Sequence, residues 1–120
     1  MRTTKPNSRN ASPARLKEKD ITRTVRDYLQ LRGWRPVRIN AGPFGKAGMP
    51  DFLMLRYGAH LQAFWLEVKS STGRLSQVQA LWIDEERRRG ATVIVCGDVD
   101  RFIEWYEASY GHEGQLRLGG

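Results

Sequence analysis

Two acidic side chains and a lysine stand at the ends of two apolar segments in the middle of this chain. Asp51 opens the first segment, and Glu67 and Lys69 close the second. Charged groups rarely enter a protein core unless they are paired or bound to a metal, because taking them out of water is costly. Brought together, two carboxylates and an ammonium can hold a divalent cation beside an activated water, which is the chemistry of phosphodiester hydrolysis.

The chain between these charges predicts an antiparallel hairpin that brings them together. Residues 51–57 and 61–68 are apolar and aromatic, and Gly58-Ala59-His60 between them is typical of a turn. Fifteen residues separate the two acids, so the hairpin places both at the same open end of the sheet. Two carboxylates this close repel, and one becomes protonated unless a cation joins them. The lysine, two positions after the glutamate, points to the same face of its strand.

These ligands indicate a particular class of metal. Carboxylate oxygens, completed by water and a substrate phosphate, favour Mg2+ or Mn2+. The backbone carbonyl of Val68 also lies within reach of such an ion. Zinc is disfavoured, because one cysteine and two distant histidines offer no ligand cluster in the sequence.

The rest of the chain predicts the elements that would position this hairpin. They are a helix over residues 14–32, strands over 34–40, 51–57, 61–68 and 91–96, a helix after Ser76, and a last helix from Asp98 to about Ser109. The order α-β-β-β-α-β-α predicts an α/β fold, a mixed sheet flanked by helices. Residues 1–13 are expected to be a disordered basic tail, 14–110 the folded domain and 111–120 a flexible tail.

Two helical positions bear on the chemistry. In the first helix, Ile21, Val25 and Leu29 form an apolar stripe, and Glu18 falls inside that stripe at about 100° per residue. We therefore expect a third carboxylate facing the core, the alternative being an acid in a frayed first turn. In the second helix, Gln79 stands three residues after Ser76, which is the spacing of a capping box.

Charge is spread unevenly. Residues 1–46 carry 12 Lys and Arg against 3 Asp and Glu, whereas residues 47–120 carry 8 against 10. The basic half indicates contact with a polyanion such as DNA, with a generic solubilising charge as the alternative. No apolar run is long enough to span a membrane, and the N-terminus lacks a signal-peptide core. The single cysteine suits a reducing compartment, so we expect a cytoplasmic protein without a membrane partner.

These residues, taken in order, resemble a known nuclease family. Gly48-Met49-Pro50-Asp51 followed by Glu67-Val68-Lys69 is similar to the PD-(D/E)XK motif. More narrowly, the chain resembles the small stand-alone VRR-NUC domains of phages and bacteria. The supporting residues, across roughly residues 16–105, are Glu18, Gly33-Trp34, Arg38-Ile39-Asn40 and the segment from Gly73 to Gln79.

The resemblance implies a restriction-endonuclease-like fold and a metal-dependent DNA endonuclease, similar to Holliday-junction resolvases and able to form homodimers. Asp51 and Glu67 would bind the metal with the Val68 carbonyl, and Glu18 would complete the site. Lys69 would activate the water. Gln79 would contact the site or the scissile phosphate, unless it serves only as a helix cap. The residues expected to contact DNA are Arg38, Asn40, Lys46, Arg74 and Ser76.

Two non-catalytic functions compete with this interpretation. In a DNA-binding module, Glu67 and Lys69 would form a structural ion pair. In a scaffolding subunit of a phage or repair complex, the basic residues would serve assembly alone. Binding modules usually show aromatic stacking platforms or a recognition helix. Neither pattern is evident in the sequence, so the nuclease is the leading hypothesis.

Overall fold

A computed structural model of the chain describes residues 16–39 and 47–119, with side chains through residue 111. The elements are α1 (Glu18–Gln30), β1 (Arg35–Arg38), β2 (Phe52–Arg56), β3 (Gln62–Val68), α2 (Gln77–Arg88), β4 (Val93–Cys96) and α3 (Val99–Gly119). Their order and type confirm the predicted α/β fold, a mixed sheet flanked by three helices. The expected tail over residues 1–13, and Asn40 and Lys46, lie outside the described residues. No helix of the described part combines the length and apolar character needed to cross a membrane.

The sheet has the strand order β1-β2-β3-β4. β1, β2 and β3 pair antiparallel, whereas β3 and β4 pair parallel, joined by the crossover through α2. Phe52 pairs with Leu66, so the residues just beyond them, Asp51 and Glu67, stand opposite each other. The predicted hairpin and its register are therefore confirmed.

One face of the sheet carries the main core. Phe52, Met54, Phe64, Leu66 and Val68 are each at most 3% exposed and pack with buried residues of α1 and α3. These side chains recur at every second position of β2 and β3, as the pleat of a strand requires. Burying such side chains contributes roughly 1.5–3 kcal/mol each. This face fixes the hairpin on which the acidic residues stand.

The other face of the sheet is only partly covered. Trp65 of β3 packs edge-to-face against Trp82 of α2, with ring centroids 5.2 Å apart. Leu53 and Leu55 of β2 remain half-buried. Burial therefore alternates along β2, with only one face of the strand fully covered. A single helix lies on this face, and its contacts fall on the β3 side of the sheet.

The last helix extends past its predicted end near Ser109, to Gly119. Tyr110 continues the aromatic packing of α3, because its ring lies 5.2 Å from Trp34 and 6.2 Å from Phe64. Trp34 also donates a hydrogen bond from its indole nitrogen to the Tyr106 hydroxyl, at 2.9 Å. The helix end predicted near Ser109 is therefore too early.

Gly48 joins the segment before Asp51 to α2. It is buried with φ at +89°, and a Cβ there would stand 2.8 Å from Val78 Cγ1 and 3.0 Å from the Val78 carbonyl oxygen. Only glycine meets both the backbone angle and the close approach. The loop that leads to Asp51 is thereby seated on the first turn of α2.

We predict that Gly48→Ala destabilises the protein more than Gly90→Ala does. Gly90 has a similar φ of +99°, but a Cβ there meets nothing within 4 Å. Gly90→Ala should therefore cost only backbone strain, about 1–2 kcal/mol. Gly48→Ala adds overpacking, typically another 1–3 kcal/mol. Urea unfolding of both variants measures the difference, and equal losses would contradict the seating of this loop on α2.

Candidate active site

Asp51 is hydrogen-bonded to both Glu67 and Val68 across the β2–β3 hairpin. The Asp51 N–H donates to Glu67 Oε1 at 3.1 Å, and the Val68 N–H donates to Asp51 Oδ2 at 3.0 Å. On its other side, the Asp51 carbonyl accepts the Ile39 N–H at 2.8 Å. Three consecutive strands therefore fix the two carboxylates at one end of the sheet.

Lys69 and Gln79 complete the group around Glu67. The Lys69 ammonium lies 3.2 Å from Glu67 Oε2 and donates to Gln79 Oε1 at 2.9 Å. The Gln79 side-chain amide also donates from Nε2 to Glu67 Oε2, at 3.0 Å. Each member of this triangle contacts the other two, so the position of the ammonium is set from two sides.

Gln79 also caps α2. Its backbone N–H donates to Ser76 Oγ at 3.1 Å, and the Ser76 N–H donates to Gln79 Oε1 at 2.9 Å. The predicted capping box is confirmed, and the same side chain contacts Glu67 and Lys69. The helix cap and the contact with the site are therefore not alternatives, because one amide performs both.

Burial sets the electrostatics of Glu67. Its side chain is only 4% exposed, and that of Lys69 is 17% exposed. This burial raises the pKa of the Glu67 carboxyl, and the negative charge of Asp51 raises it further, whereas Lys69 lowers it. The repulsion expected between two adjacent carboxylates is therefore present in the fold.

Glu18 does not join this group. It is the first residue of α1, and its side chain is exposed, whereas Ile21, Val25 and Leu29 behind it are buried. The expectation that Glu18 faces the core is wrong, because the apolar stripe begins one turn later, where α1 meets the sheet. The backbone at this end is still close to the loop after β3, since the Ser71 N–H donates to the Leu16 carbonyl at 3.2 Å.

The structure describes three of the five residues that were predicted to contact DNA. Arg38 is exposed at the end of β1, with its guanidinium 5.1 Å from the centre of the Phe52 ring. Arg74 is exposed in the loop that follows Lys69, and Ser76 is taken up by the helix cap. Sequence reasoning gave no role to Arg101, which lines a cleft together with Lys69. A lone exposed arginine in a first helical turn carries no pattern that would single it out.

The carboxylates fit a divalent cation of the magnesium type. In the described segments, no three side chains of His, Cys, Asp or Glu form a group that could hold a metal. Mg2+ commonly uses only one or two carboxylates, together with water and substrate phosphates. Asp51 Oδ1 accepts no hydrogen bond from the residues that the structure describes. A cation held by Asp51 and Glu67 would also offset their mutual repulsion.

The Glu67–Asp51 contact predicts a pH dependence of stability. Because folding raises the pKa of Glu67 above 4.5, the native state binds this proton more tightly than the unfolded chain does. The free energy of unfolding therefore falls as the pH rises from about 4.5 through the raised pKa. Asp51→Asn removes the neighbouring charge but keeps an oxygen for the Val68 N–H, so the pKa of Glu67 should move down and this fall should shrink.

Carboxyl NMR titration and urea unfolding, both without divalent ions, measure the two effects. Asp27→Asn is the matched control, because Asp27 is exposed on α1 and should leave the titration of Glu67 unchanged. An unchanged pKa of Glu67 in Asp51→Asn would contradict the electrostatic coupling.

Comparison with known sequences places this site in a family. The sequence model of the VRR-NUC domain matches residues 43–100, a segment that contains Asp51, Glu67, Lys69 and Gln79. No curated protein and no solved structure matches the chain. VRR-NUC domains are DNA-processing nuclease domains and generally depend on divalent metals. The match covers the hairpin, the cap of α2 and β4, and the chain thus carries a VRR-NUC domain of the PD-(D/E)XK nuclease superfamily.

Proposed function

We propose that this protein is a Mg2+- or Mn2+-dependent DNA endonuclease that acts preferentially on branched DNA, in the manner of a Holliday-junction resolvase. The observation that carries the proposal is the contact of Asp51 with Glu67, next to the Lys69–Gln79 pair. The VRR-NUC match over the same residues supports it.

The second carboxylate is the reason to prefer a nuclease over a structural ion pair. A pair between Glu67 and Lys69 alone needs no further acid, and Asp51 makes the ionised form of Glu67 less favourable. Groups held against such repulsion are typical of sites that bind a cation or transfer protons. A metal ion held by Asp51 and Glu67 during function would offset the repulsion between the two carboxylates.

Each residue then has a role. Asp51 and Glu67 would hold the ion, with the Val68 carbonyl as a further oxygen. When bound, the ion would supply charge stabilisation at the scissile phosphate and favour deprotonation of water. Lys69 would donate hydrogen bonds to the attacking water and stabilise negative charge that develops on the phosphate oxygens. Gln79, fixed by Ser76, would hold the Lys69 ammonium in position.

The proposal also includes a preference for branched DNA and the formation of a homodimer. Both rest on the resemblance to stand-alone VRR-NUC domains and junction resolvases. A twofold-symmetric dimer presents two identical sites, which suits cleavage of two strands of a symmetric junction. The contacts to DNA would come from Arg38 and Arg74, two exposed arginines near the site, and from Asn40 and Lys46, which lie outside the described residues.

A non-catalytic DNA-binding or scaffolding module is the second candidate. The observation that favours it is the distance of 3.2 Å between Lys69 Nζ and Glu67 Oε2, which is that of an ion pair. In this case the basic residues would grip DNA and the site would only stabilise the fold. One experiment separates the two candidates.

We predict that the wild-type protein cleaves DNA with Mg2+ or Mn2+ and that Lys69→Ala lowers the rate by roughly 100-fold or more. The substrates are a four-way junction, a flap, a splayed duplex and a linear duplex, with fastest cleavage expected for the branched molecules. Lys19→Ala, at an exposed lysine of α1, is the matched control and should retain activity. Removing divalent ions with a chelator should stop cleavage by the wild-type protein.

Circular dichroism and thermal unfolding must show that Lys69→Ala is folded. If wild-type protein binds the junction but cuts none of the four substrates with either ion, the binding module replaces the nuclease. If Lys69→Ala cuts at the wild-type rate, the role given to Lys69 is wrong.

We predict a dimer in solution at tens of micromolar. Size-exclusion chromatography with light scattering should give twice the monomer mass of 13.8 kDa. A mass of one chain at that concentration, with or without a DNA junction, would count against symmetric cleavage of two strands.

A further inference from the structure

A cleft of about 1040 Å³ runs along the outer edge of β4, and Lys69 is among the residues that line it. Its walls come from the loop after β3, from the end of α2 and from the first turns of α3. β4 is the last strand of the sheet, so no further strand covers this edge in the described part of the chain. Because Lys69 belongs both to the candidate active site and to this β4 cleft, the two are continuous.

The lining of the β4 cleft is strongly cationic. It carries Lys69, Arg74, Arg87 and Arg101 against one acid, Asp98, and so has a formal charge of +3. Arg74 and Arg101 are exposed, and neither side chain makes an ion pair or hydrogen bond with the residues described. Asp98 is engaged in part, because its Oδ1 accepts the Arg101 backbone N–H at 3.1 Å. Charges of this arrangement attract a polyanion.

The arginine run at the end of α2 divides between the cleft and the helix surface. Arg88 pairs with Asp84 at 3.1 Å, and Arg89 pairs with Glu85 at 3.0 Å, so these two serve their own helix. Arg87 instead lines the cleft and donates to the Val93 carbonyl at 2.6 and 3.2 Å. That carbonyl belongs to the edge strand, so Arg87 occupies an acceptor that an added β-strand would need. The edge therefore suits a nucleic acid better than a peptide strand.

An aromatic surface accompanies the cations. Trp105 lines the cleft and is half-buried. Its ring packs against Phe64, Phe102 and Tyr110, with centroids 5.2, 5.6 and 5.9 Å away, and part of it remains exposed. Proteins that bind single strands combine a basic groove with aromatic rings on which unpaired bases stack. A duplex exposes no base face along its sides, so the tryptophan adds nothing for duplex DNA.

We propose that the β4 cleft binds a single-stranded segment of DNA that leaves the candidate active site. Arg74 and Arg101 contact its phosphates, and Trp105 stacks on a base. The choice of DNA as ligand rests on the proposed nuclease function, which this inference deepens. Among the branched substrates, it favours those with an unpaired strand next to the scissile bond, which are the flap and the splayed duplex.

Binding can be tested separately from cleavage. Fluorescence anisotropy of a labelled oligothymidylate, in chelator so that no cutting occurs, measures affinity across salt concentrations. Arg101→Gln should weaken binding roughly fivefold at about 0.1 M salt and reduce the salt slope by about 0.7, the value for one phosphate contact to a single strand. Arg88→Gln is the matched control, since it removes the same charge outside the cleft, and should keep the wild-type slope. Trp105→Leu should weaken binding roughly tenfold if it remains folded by thermal unfolding.

The outcomes separate this inference from the nuclease proposal. Equal effects of Arg101→Gln and Arg88→Gln, or equal affinity of the wild-type protein for duplex and single strand, would overturn the cleft assignment while leaving cleavage unaffected. Binding that depends on Arg101, in a protein that cuts no DNA with either Mg2+ or Mn2+, would support the cleft and refute the nuclease. Failure to bind any oligonucleotide would also overturn the assignment.

Discussion

The buried Glu67 carboxylate is the constraint on which the site depends. A carboxylate at 4% exposure must receive hydrogen bonds, and its three donors come from three separate segments: the Asp51 backbone, Lys69 and Gln79. Satisfying this one group therefore ties β2, β3 and α2 together at one end of the sheet. Any change that frees one donor leaves a buried charge without full compensation, which is costly. The geometry of the site is a consequence of that requirement.

The start of α2 shows how secondary structure and site share the same atoms. An N-terminal helical turn leaves backbone N–H groups that need acceptors, and Ser76 and Gln79 meet that need reciprocally. The cap fixes the side chain of Gln79, and the fixed amide then positions Lys69. Gly48 adds a second restraint, since it packs on the same turn from the side of the Asp51 loop. Helix stability and placement of the ammonium are therefore coupled.

Much of the fold and of the candidate site could be predicted from the sequence, and each wrong prediction has a physical cause. The hairpin register and the capping box are local features, set by spacing over a few residues. The prediction that Glu18 faces the core was wrong because helical periodicity gives the direction of a side chain around the helix axis. It does not give the point along the axis at which the core ends. The end of α3 was predicted too early because Tyr110 packs against Trp34 and Phe64. These contacts join residues that are far apart in the sequence. The β4 cleft is of the same kind, since Arg74, Arg87 and Arg101 meet only after folding.

The mixed topology explains why the site and the cleft adjoin. The antiparallel hairpin places Asp51 at the start of β2 beside the end of β3, and the parallel crossover brings the end of β4 to the same place. The Lys69 N–H donates to the Cys96 carbonyl at 2.8 Å, so the lysine stands where the parallel pair ends. Loops diverge at such strand ends and leave room for a ligand. A sheet that was antiparallel throughout would have placed the C-terminal end of β4 at the opposite end of the strands, away from the carboxylates.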